Sequence, residues 1–95
     1  MRKPFFPVGL NLNGRLCVVI GADDDREAIE KAAALRESGA DVRQLTDPES
    51  VRDEDVTDAF FVISTPQDEA LSRKLRTLAD RHRFLLCCID QPAYG

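Results

Sequence analysis

Three shortages restrict what this chain can be. Its 95 residues include no tryptophan, three cysteines and a single histidine, His82. The cysteines are odd in number and form no Cys-x-x-Cys pair, which argues against a disulfide framework and against a zinc site with its about four clustered ligands. We therefore expect buried structural thiols at Cys17, Cys87 and Cys88, and no bound metal. Cys87 and Cys88 should not pair with each other, because adjacent strand residues point to opposite faces.

An excess of positive charge is also missing. The 13 basic and 17 acidic residues leave a net charge of −4, which argues against general binding to nucleic acid or to an anionic membrane. No apolar run approaches the ~20 residues of a membrane span. The chain starts Met-Arg-Lys and runs into Pro4 and Phe5 rather than into the apolar core of a signal peptide, so we expect a cytoplasmic protein. With 43% apolar and 32% charged residues, the composition is that of one soluble globular domain over residues 1–95.

Charge is unevenly distributed along the chain. Residues 46–70 hold eight acidic residues and one arginine, whereas residues 71–95 hold five basic and two acidic residues. We interpret this as a solvated acidic loop followed by the basic face of a helix. Within the acidic part, residues 47–58 predict a loop with at most a short helix, in which Val51 or Val56 points inward.

Short β-branched apolar runs alternate with helical periodicity. We predict four strands, near residues 15–20, 41–46, 59–64 and 84–89. After the first strand, apolar residues recur with the period of a helix over residues 24–38, at Ala28, Ala32 and Leu35. Asp23 or Asp24 can cap the start of this helix, and Gly39 ends it.

A second helix signal follows the third strand. Thr65 is placed to cap the helix, Pro66 fits its first position, and Asp68 closes a capping box. The apolar face then continues at Leu71, Leu75 and Leu78. His82 falls late in this helix, where we expect an exposed partner for the helix dipole rather than a catalyst.

The residues before the first strand, here called the leader, and the order of elements predict the fold. Val8, Leu10 and Leu12 alternate before Asn13-Gly14, a turn pair typical of hairpins, so the leader either adds an edge strand or covers one end of the sheet. Buried strands that alternate with helices indicate an α/β fold with a four-stranded parallel sheet and right-handed crossovers.

The rim beyond the carboxyl ends of the strands is where open α/β sheets bind ligands. It would contain Gly21–Arg26, residues 64–68 and Asp90. The first turn reads Gly21-Ala22-Asp23, which keeps only the first glycine of a G-x-G-x-x-G fingerprint, so the residues allow either nucleotide binding or a plain capped helix start. Asp90 lies where catalytic groups of such sheets collect, although by chemistry alone a turn aspartate before Gln91-Pro92 is favoured.

As a set, these residues resemble the N-terminal domain of the siroheme synthases. The resemblance lies in residues 6–21 (FPVGLNLNGRLCVVIG), 28–31, 35–40, 55–65 and 84–92. Its most specific parts are the leader and the Asp-x-Pro turn that begins at Asp90. That family comprises the precorrin-2 dehydrogenases, some of which are also sirohydrochlorin ferrochelatases.

The resemblance implies a small Rossmann-like three-layer domain whose strands follow the spatial order second, first, third, fourth once the family's additional strand is removed. It also implies NAD as hydride acceptor and oxidation of precorrin-2 to sirohydrochlorin. We predict cofactor binding at Gly21, Ala22, Asp23, Arg26 and Thr65. Gly21 matches the first glycine of the nucleotide loop, and Thr65 matches the threonine at the nucleotide side of the rim. Asp90 matches the catalytic aspartate.

Departures from the family pattern keep several functions open. The nucleotide loop is longer and carries Asp23, Asp24 and Asp25, whose charges predict that NAD binds weakly or not at all to the isolated chain. The family domain has roughly one further β-unit, which is missing from this chain between Thr46 and Asp55. The dimerisation and tetrapyrrole-binding region of the family also has no counterpart in this chain. The chain could be a dehydrogenase-like enzyme acting on a tetrapyrrole, a non-catalytic relative that serves as a binding or assembly module, or a nucleotide or metabolite sensor. The uncovered edge of the second strand favours a homodimer.

Overall fold

The computed structural model describes residues 4–95, in which strands and helices alternate along the chain. The strands are β1 (Leu16–Ile20), β2 (Asp41–Leu45), β3 (Phe61–Ser64) and β4 (Leu85–Cys88). The helices are α1 (Arg26–Glu37), α2 (Asp53–Val56) and α3 (Glu69–His82), with a 3-10 turn at Pro48–Ser50. The four predicted strands are confirmed, with small shifts at their ends.

The strands form one parallel sheet in the order β2-β1-β3-β4. Val18 in the middle of β1 lies opposite Arg43 in β2 and Val62 in β3. This is the spatial order predicted from the sequence, and it leaves β2 and β4 at the two edges. The chain is therefore a Rossmann-like α/β fold.

The side chains of β1 divide the core between the two faces of the sheet. Cys17 and Val19 pack with the apolar face of α1, which consists of Ala28, Ala32 and Leu35. Val18 and Ile20 pack on the other side with the leucines of α3, which are Leu71, Leu75 and Leu78. Because both faces of β1 are covered, its sequence is continuously apolar rather than alternating.

Helix α3 begins later than its predicted start. Asp68 is the N-cap, and its carboxylate accepts a hydrogen bond from the backbone N–H of Leu71 at 3.2 Å. The prediction that Thr65 caps this helix is wrong, because the backbone N–H of Thr65 still donates to the Ile20 carbonyl, at 3.0 Å, and so extends the ladder of the sheet. The helix ends at Arg83, whose φ of 61° is in the left-handed region.

The acidic segment, residues 47–58, packs against α3 through both of its valines. Val51 and Val56 are buried, and the segment forms the 3-10 turn and the short helix α2, as predicted. His82 lies in the last turn of α3, but it is not the exposed residue that was predicted. Its side chain is only 19% exposed, and its Nε2 lies 2.5 Å from an oxygen of Asp53 at the start of α2. This contact ties the acidic segment to α3.

The leader forms no strand among the described residues. Leu12 is buried against the α1 side of the core, whereas Val8 and Leu10 are exposed. Asn13-Gly14 is a turn, and the Gly14 N–H donates to the Gly39 carbonyl at 2.9 Å. The leader thus covers one end of the sheet, and the alternative of an added edge strand is not observed.

On the α1 side, the β3–β4 part of the sheet is less completely covered than the β1–β2 part. Helix α1 packs mainly over β1 and β2. Next to it, Phe61 of β3, Cys87 of β4 and Ile89 after β4 are only partly buried, and Leu85 of β4 is exposed. Leu85 is 45% exposed. We refer to these four residues as the open half-face.

The three cysteines are free, and burial raises the pKa of each thiol. Cys17 and Cys88 are buried, as predicted, and Cys87 is partly buried. Within residues 4–95, no cluster of three or more histidine, cysteine or acidic side chains is arranged to hold a metal ion. No helix in the same range has the length and apolar character needed to cross a membrane.

Candidate functional site at the rim of the sheet

Three of the predicted site residues lie at the rim of the sheet, where the carboxyl ends of β1, β3 and β4 meet. Gly21 follows β1, Thr65 follows β3, and Asp90 lies just beyond β4. Since β3 lies between β1 and β4, Thr65 lies between the other two positions along this rim. The ladder runs right to the rim, because Gly21 N–H donates to the Leu45 carbonyl at 3.1 Å.

Asp25, which was not among the predicted cofactor residues, is the centre of the first turn. It is the N-cap of α1, and its Oδ1 accepts hydrogen bonds from the backbone N–H groups of Glu27 at 3.0 Å and Ala28 at 3.3 Å. Its Oδ2 accepts a hydrogen bond of 2.5 Å from the Thr65 hydroxyl. The Thr65 hydrogen bond is the main reason that the pKa of Asp25 lies below its usual value, with the two backbone N–H groups acting in the same direction and desolvation opposing them.

The prediction that Asp23 or Asp24 caps α1 is therefore wrong. Both are exposed, and the extra loop residues are used in a turn that the Asp25 N–H closes onto the Ala22 carbonyl at 3.0 Å. Any of the three consecutive aspartates can cap a helix by residue type alone. Only Asp25 comes within reach of Thr65, a partner 40 positions away, and no local pattern could reveal that.

Gly21 is buried against this aspartate and its partner. A Cβ at this position would lie 2.5 Å from Thr65 Oγ1, 2.6 Å from Ala28 Cβ and 3.3 Å from an Asp25 oxygen. The position therefore requires glycine for space. Its role as the first glycine of a nucleotide loop stays a prediction. We refer to Gly21, Asp25 and Thr65 as the rim cluster.

The other predicted cofactor positions lie outside this cluster. Ala22, Asp23 and Arg26 are all exposed, and none of them contributes a side-chain hydrogen bond to the rim cluster. Thr65, by contrast, is buried, and its hydroxyl lies 3.3 Å from the Ile20 carbonyl as well as close to Asp25. Of the five predicted positions, the structure thus joins only Gly21 and Thr65.

Asp90 is exposed on a tight turn. Its φ of 58° is in the left-handed region, and the turn is closed by a hydrogen bond of 3.1 Å from the Gln91 N–H to the Cys88 carbonyl. The side chain has one weak contact, 3.4 Å from Gln67 Nε2 to Asp90 Oδ2. Asp90 is thus a turn aspartate and also a carboxylate that remains available at the rim.

The segment after Asp90 is fixed to α3 by residues that the sequence analysis did not identify. The side chains of Ser72 and Gln91 are hydrogen-bonded to each other. The Tyr94 hydroxyl donates to Glu69 at 3.0 Å, and Arg76 donates to the Tyr94 carbonyl at 2.9 Å. These contacts hold the turn that carries Asp90 at a defined place on the rim.

Two cavities lie on the side of the acidic segment rather than at the rim cluster. One, of about 250 Å³, opens beyond the end of β2 and is lined by polar residues that include Thr46, Asp47 and Arg52. The other, of about 280 Å³, lies between the 3-10 turn and the start of α3. Neither is lined by Asp25 or by Asp90.

The strand order and the close turn at Gly21 define a Rossmann-like α/β domain. Residues 8–95 match a family described as "Putative NAD(P)-binding", and because the match spans most of the chain, the chain belongs to this family. It is also 38% identical, over 64 residues, to a siroheme synthase of Hahella chejuensis (strain KCTC 2396). That match covers 67% of this chain but 13% of the relative, so the chain corresponds to a small part of the relative's length. The resemblance to siroheme synthases is confirmed.

The rim cluster does not fit the diphosphate of an NAD(P) cofactor. In dinucleotide-binding sheets, the diphosphate lies on free N–H groups at the start of the first helix, where glycines let the backbone approach it. Here Asp25 already accepts the N–H groups of Glu27 and Ala28. Ala22 and Asp23 also follow Gly21 where further glycines would be needed.

Proposed function

We propose that this chain is a binding module of siroheme biosynthesis that takes a tetrapyrrole at the rim of its sheet. In this proposal, the chain keeps the fold of the dehydrogenase domain but does not by itself transfer hydride. The observation that carries it is the position of Asp90, an exposed carboxylate on a fixed turn beyond the last strand. The identity to a siroheme synthase supports the class of ligand.

Asp90 has the chemistry to contact a tetrapyrrole. The pyrrole N–H groups of such a ligand are hydrogen-bond donors, and a carboxylate is an acceptor with about four lone-pair sites when it is ionised. Little of this capacity is used within the chain, since the contact with Gln67 is long. The contacts of Gln91 and Tyr94 with α3 hold the turn in place, so the carboxylate is oriented before a ligand arrives.

A titration with sirohydrochlorin, followed by its absorbance, tests this proposal. We expect saturable binding to the natural chain and at least about 10-fold weaker binding to Asp90→Asn, since losing a hydrogen bond to a charged group costs about 1.5–3 kcal/mol. Asparagine tolerates the left-handed backbone at this position, so the variant should keep the turn. Asp41→Asn, at an exposed carboxylate at the start of β2, is the matched control and should bind like the natural chain.

Equal binding by the natural chain and by Asp90→Asn would remove Asp90 from the proposed site. An absence of saturable binding by the natural chain would overturn the proposal as a whole. Circular dichroism of each variant establishes that the sheet and helices are intact before the titrations are compared.

The second candidate is a precorrin-2 dehydrogenase-like enzyme that uses NAD. It is supported by Gly21 and Thr65, which keep their positions on either side of the first turn, and by the NAD(P)-binding family. Precorrin-2 and NAD supplied together to the isolated chain distinguish the two candidates. NADH formation above the rate without protein would favour the enzyme, and sirohydrochlorin binding without NADH formation would favour the binding module.

A further inference from the structure

The start of α1 is an anion site that the chain fills itself. Three donors converge on one carboxylate: the N–H groups of Glu27 and Ala28, and the hydroxyl of Thr65. The positive end of the helix dipole adds to them, and α1, with its 12 residues, is long enough to have one. In related folds, this place receives the phosphate of a ligand.

We propose that Asp25 is the specificity-determining residue of this site, and that its carboxylate stands in for the phosphate of a ligand and keeps phosphate-bearing ligands out. The proposal goes beyond the proposed function, because it concerns the first turn and not the tetrapyrrole contact at Asp90. It predicts that removing this one carboxylate opens a site for a diphosphate.

The closed arrangement is favoured by its connection through the chain. Asp25 is adjacent to the helix whose N–H groups it accepts, so its effective concentration at these donors is high, whereas a free ligand must give up translational freedom to displace it. The Thr65 hydroxyl holds the second oxygen of the same carboxylate at 2.5 Å. The lowered pKa of Asp25 keeps the group ionised at neutral pH.

The neighbouring aspartates have a smaller effect than their number suggests. Asp23 and Asp24 are exposed, so water and salt screen their repulsion of an approaching anion. They also occupy none of the N–H groups at the start of α1. Occupancy by Asp25, rather than the summed charge of the loop, therefore decides whether a phosphate can bind.

The site behind Asp25 is otherwise suited to an anion. Gly21 leaves the space next to Thr65 and Ala28 free of a side chain, and Thr65 is buried and would retain its hydroxyl as a donor. Substitution of Asp25 by glycine keeps a residue that is tolerated at an N-cap, and it frees the N–H groups of Glu27 and Ala28.

Calorimetric titration with inorganic pyrophosphate, and then with NAD, tests the inference. We expect no saturable binding of pyrophosphate to the natural chain, and we expect Asp25→Gly to bind it at least about 10-fold more tightly than the natural chain. Asp25→Asn still caps the helix but has no charge, so it should remain closed. The double variant Asp23→Gly, Asp24→Gly removes two charges and leaves Asp25 in place, so it too should remain closed.

Three results would overturn the inference: pyrophosphate binding by the natural chain as tight as by Asp25→Gly, an equal gain from the double variant, or a folded Asp25→Gly that binds no better. If Asp25→Gly does not fold, Asp25→Ala provides the test, since it frees the same N–H groups without the added backbone freedom of glycine. It should then show a measurable gain in pyrophosphate binding, and no gain would reject the inference. No tetrapyrrole is present in these titrations, so their outcome is independent of the proposed function.

Discussion

At the scale of single residues, the rim depends on the absence of a side chain at Gly21. This residue directly follows β1, where the chain closely approaches Thr65 and the first turn of α1. Its φ is not in the left-handed region, so conformational freedom is not the reason for glycine here. The reason is the close approach of a strand end and a helix start, the role of small residues in turns of this type.

Replacing Gly21 by alanine should destabilise the protein by about 1–3 kcal/mol, the usual cost of overpacking. The Thr65 side chain can rotate away from the new methyl group, but Ala28 Cβ is fixed to the helix backbone. Urea unfolding followed by circular dichroism measures the change. Gly9→Ala is the control, because a Cβ at Gly9 would meet nothing within 4 Å. Equal stability of the two variants would show that the rim relaxes freely.

The Asp25 carboxyl makes the free energy of unfolding depend on pH in the acid range. Its folded-state pKa is lowered, so its contribution is complete above the unfolded-state pKa of about 3.9 and is lost as the pH falls through the lower, folded-state value. Asp25→Asn keeps a capping side chain that does not titrate. The stability advantage of the natural chain over this variant should therefore shrink between about pH 5 and pH 3. A difference that stays constant with pH would contradict the assignment.

At the scale of elements, strands were predictable and helix starts were not. The strands are continuous apolar runs, and their order follows from the usual topology of alternating strands and helices. Among the neighbouring aspartates, the one that caps α1 is Asp25, which is hydrogen-bonded to Thr65 at the end of another strand. The start of α3 was displaced because Thr65 was already part of the sheet. Both errors have one cause, a tertiary contact that local sequence does not contain.

The same limit applies to the candidate site. Gly21, Thr65 and Asp90 could be placed at the rim because each directly follows an apolar strand. Asp25 could not be identified in this way, because it lies within the loop and its role depends on a hydrogen bond across the sheet edge.

The cap of α3 provides a test at this scale. Asp68→Ala removes the acceptor of the Leu71 N–H and should destabilise the protein by about 0.5–2 kcal/mol. Asp24→Ala, at an exposed carboxylate of the first turn, should leave the free energy of unfolding nearly unchanged. Thermal or urea unfolding compares the two variants. If Asp68→Ala were as stable as Asp24→Ala, Asp68 would not be the effective cap.

At the scale of the whole molecule, the two faces of the sheet are covered unequally. Helix α3 and the acidic segment cover one face, whereas α1 covers mainly the β1–β2 part of the other. The edge strand β2 is partly protected by polar side chains, since Arg43 pairs with Asp58 at 3.0 Å and Gln44 accepts from Arg36 at 3.0 Å. The open half-face presents apolar side chains, and Leu85 among them is 45% exposed.

We propose that the chain forms a homodimer, and that the open half-face contributes to the contact between the two copies. Exposed apolar patches commonly mark interaction surfaces. Light scattering at high protein concentration should show the dimer, and Leu85→Glu should shift it towards monomer. Ile29→Glu, at another exposed apolar residue on α1, should not. If light scattering at high protein concentration showed only the monomer, the homodimer would be rejected. If the dimer persisted in Leu85→Glu, the contact between the two copies would instead lie at the edge of β2.

The alternation of β4 places two neighbouring thiols in different surroundings. Cys88 is buried beneath α3, whereas Cys87 belongs to the open half-face. An alkylating reagent should therefore modify Cys87 first in the folded monomer, and slowly, because burial raises the pKa of its thiol. Cys17 and Cys88 should react only when the fold opens. The rate at which Cys87 is alkylated thus becomes a footprint of whatever covers this side of the sheet, obtained with a cysteine that the chain already contains.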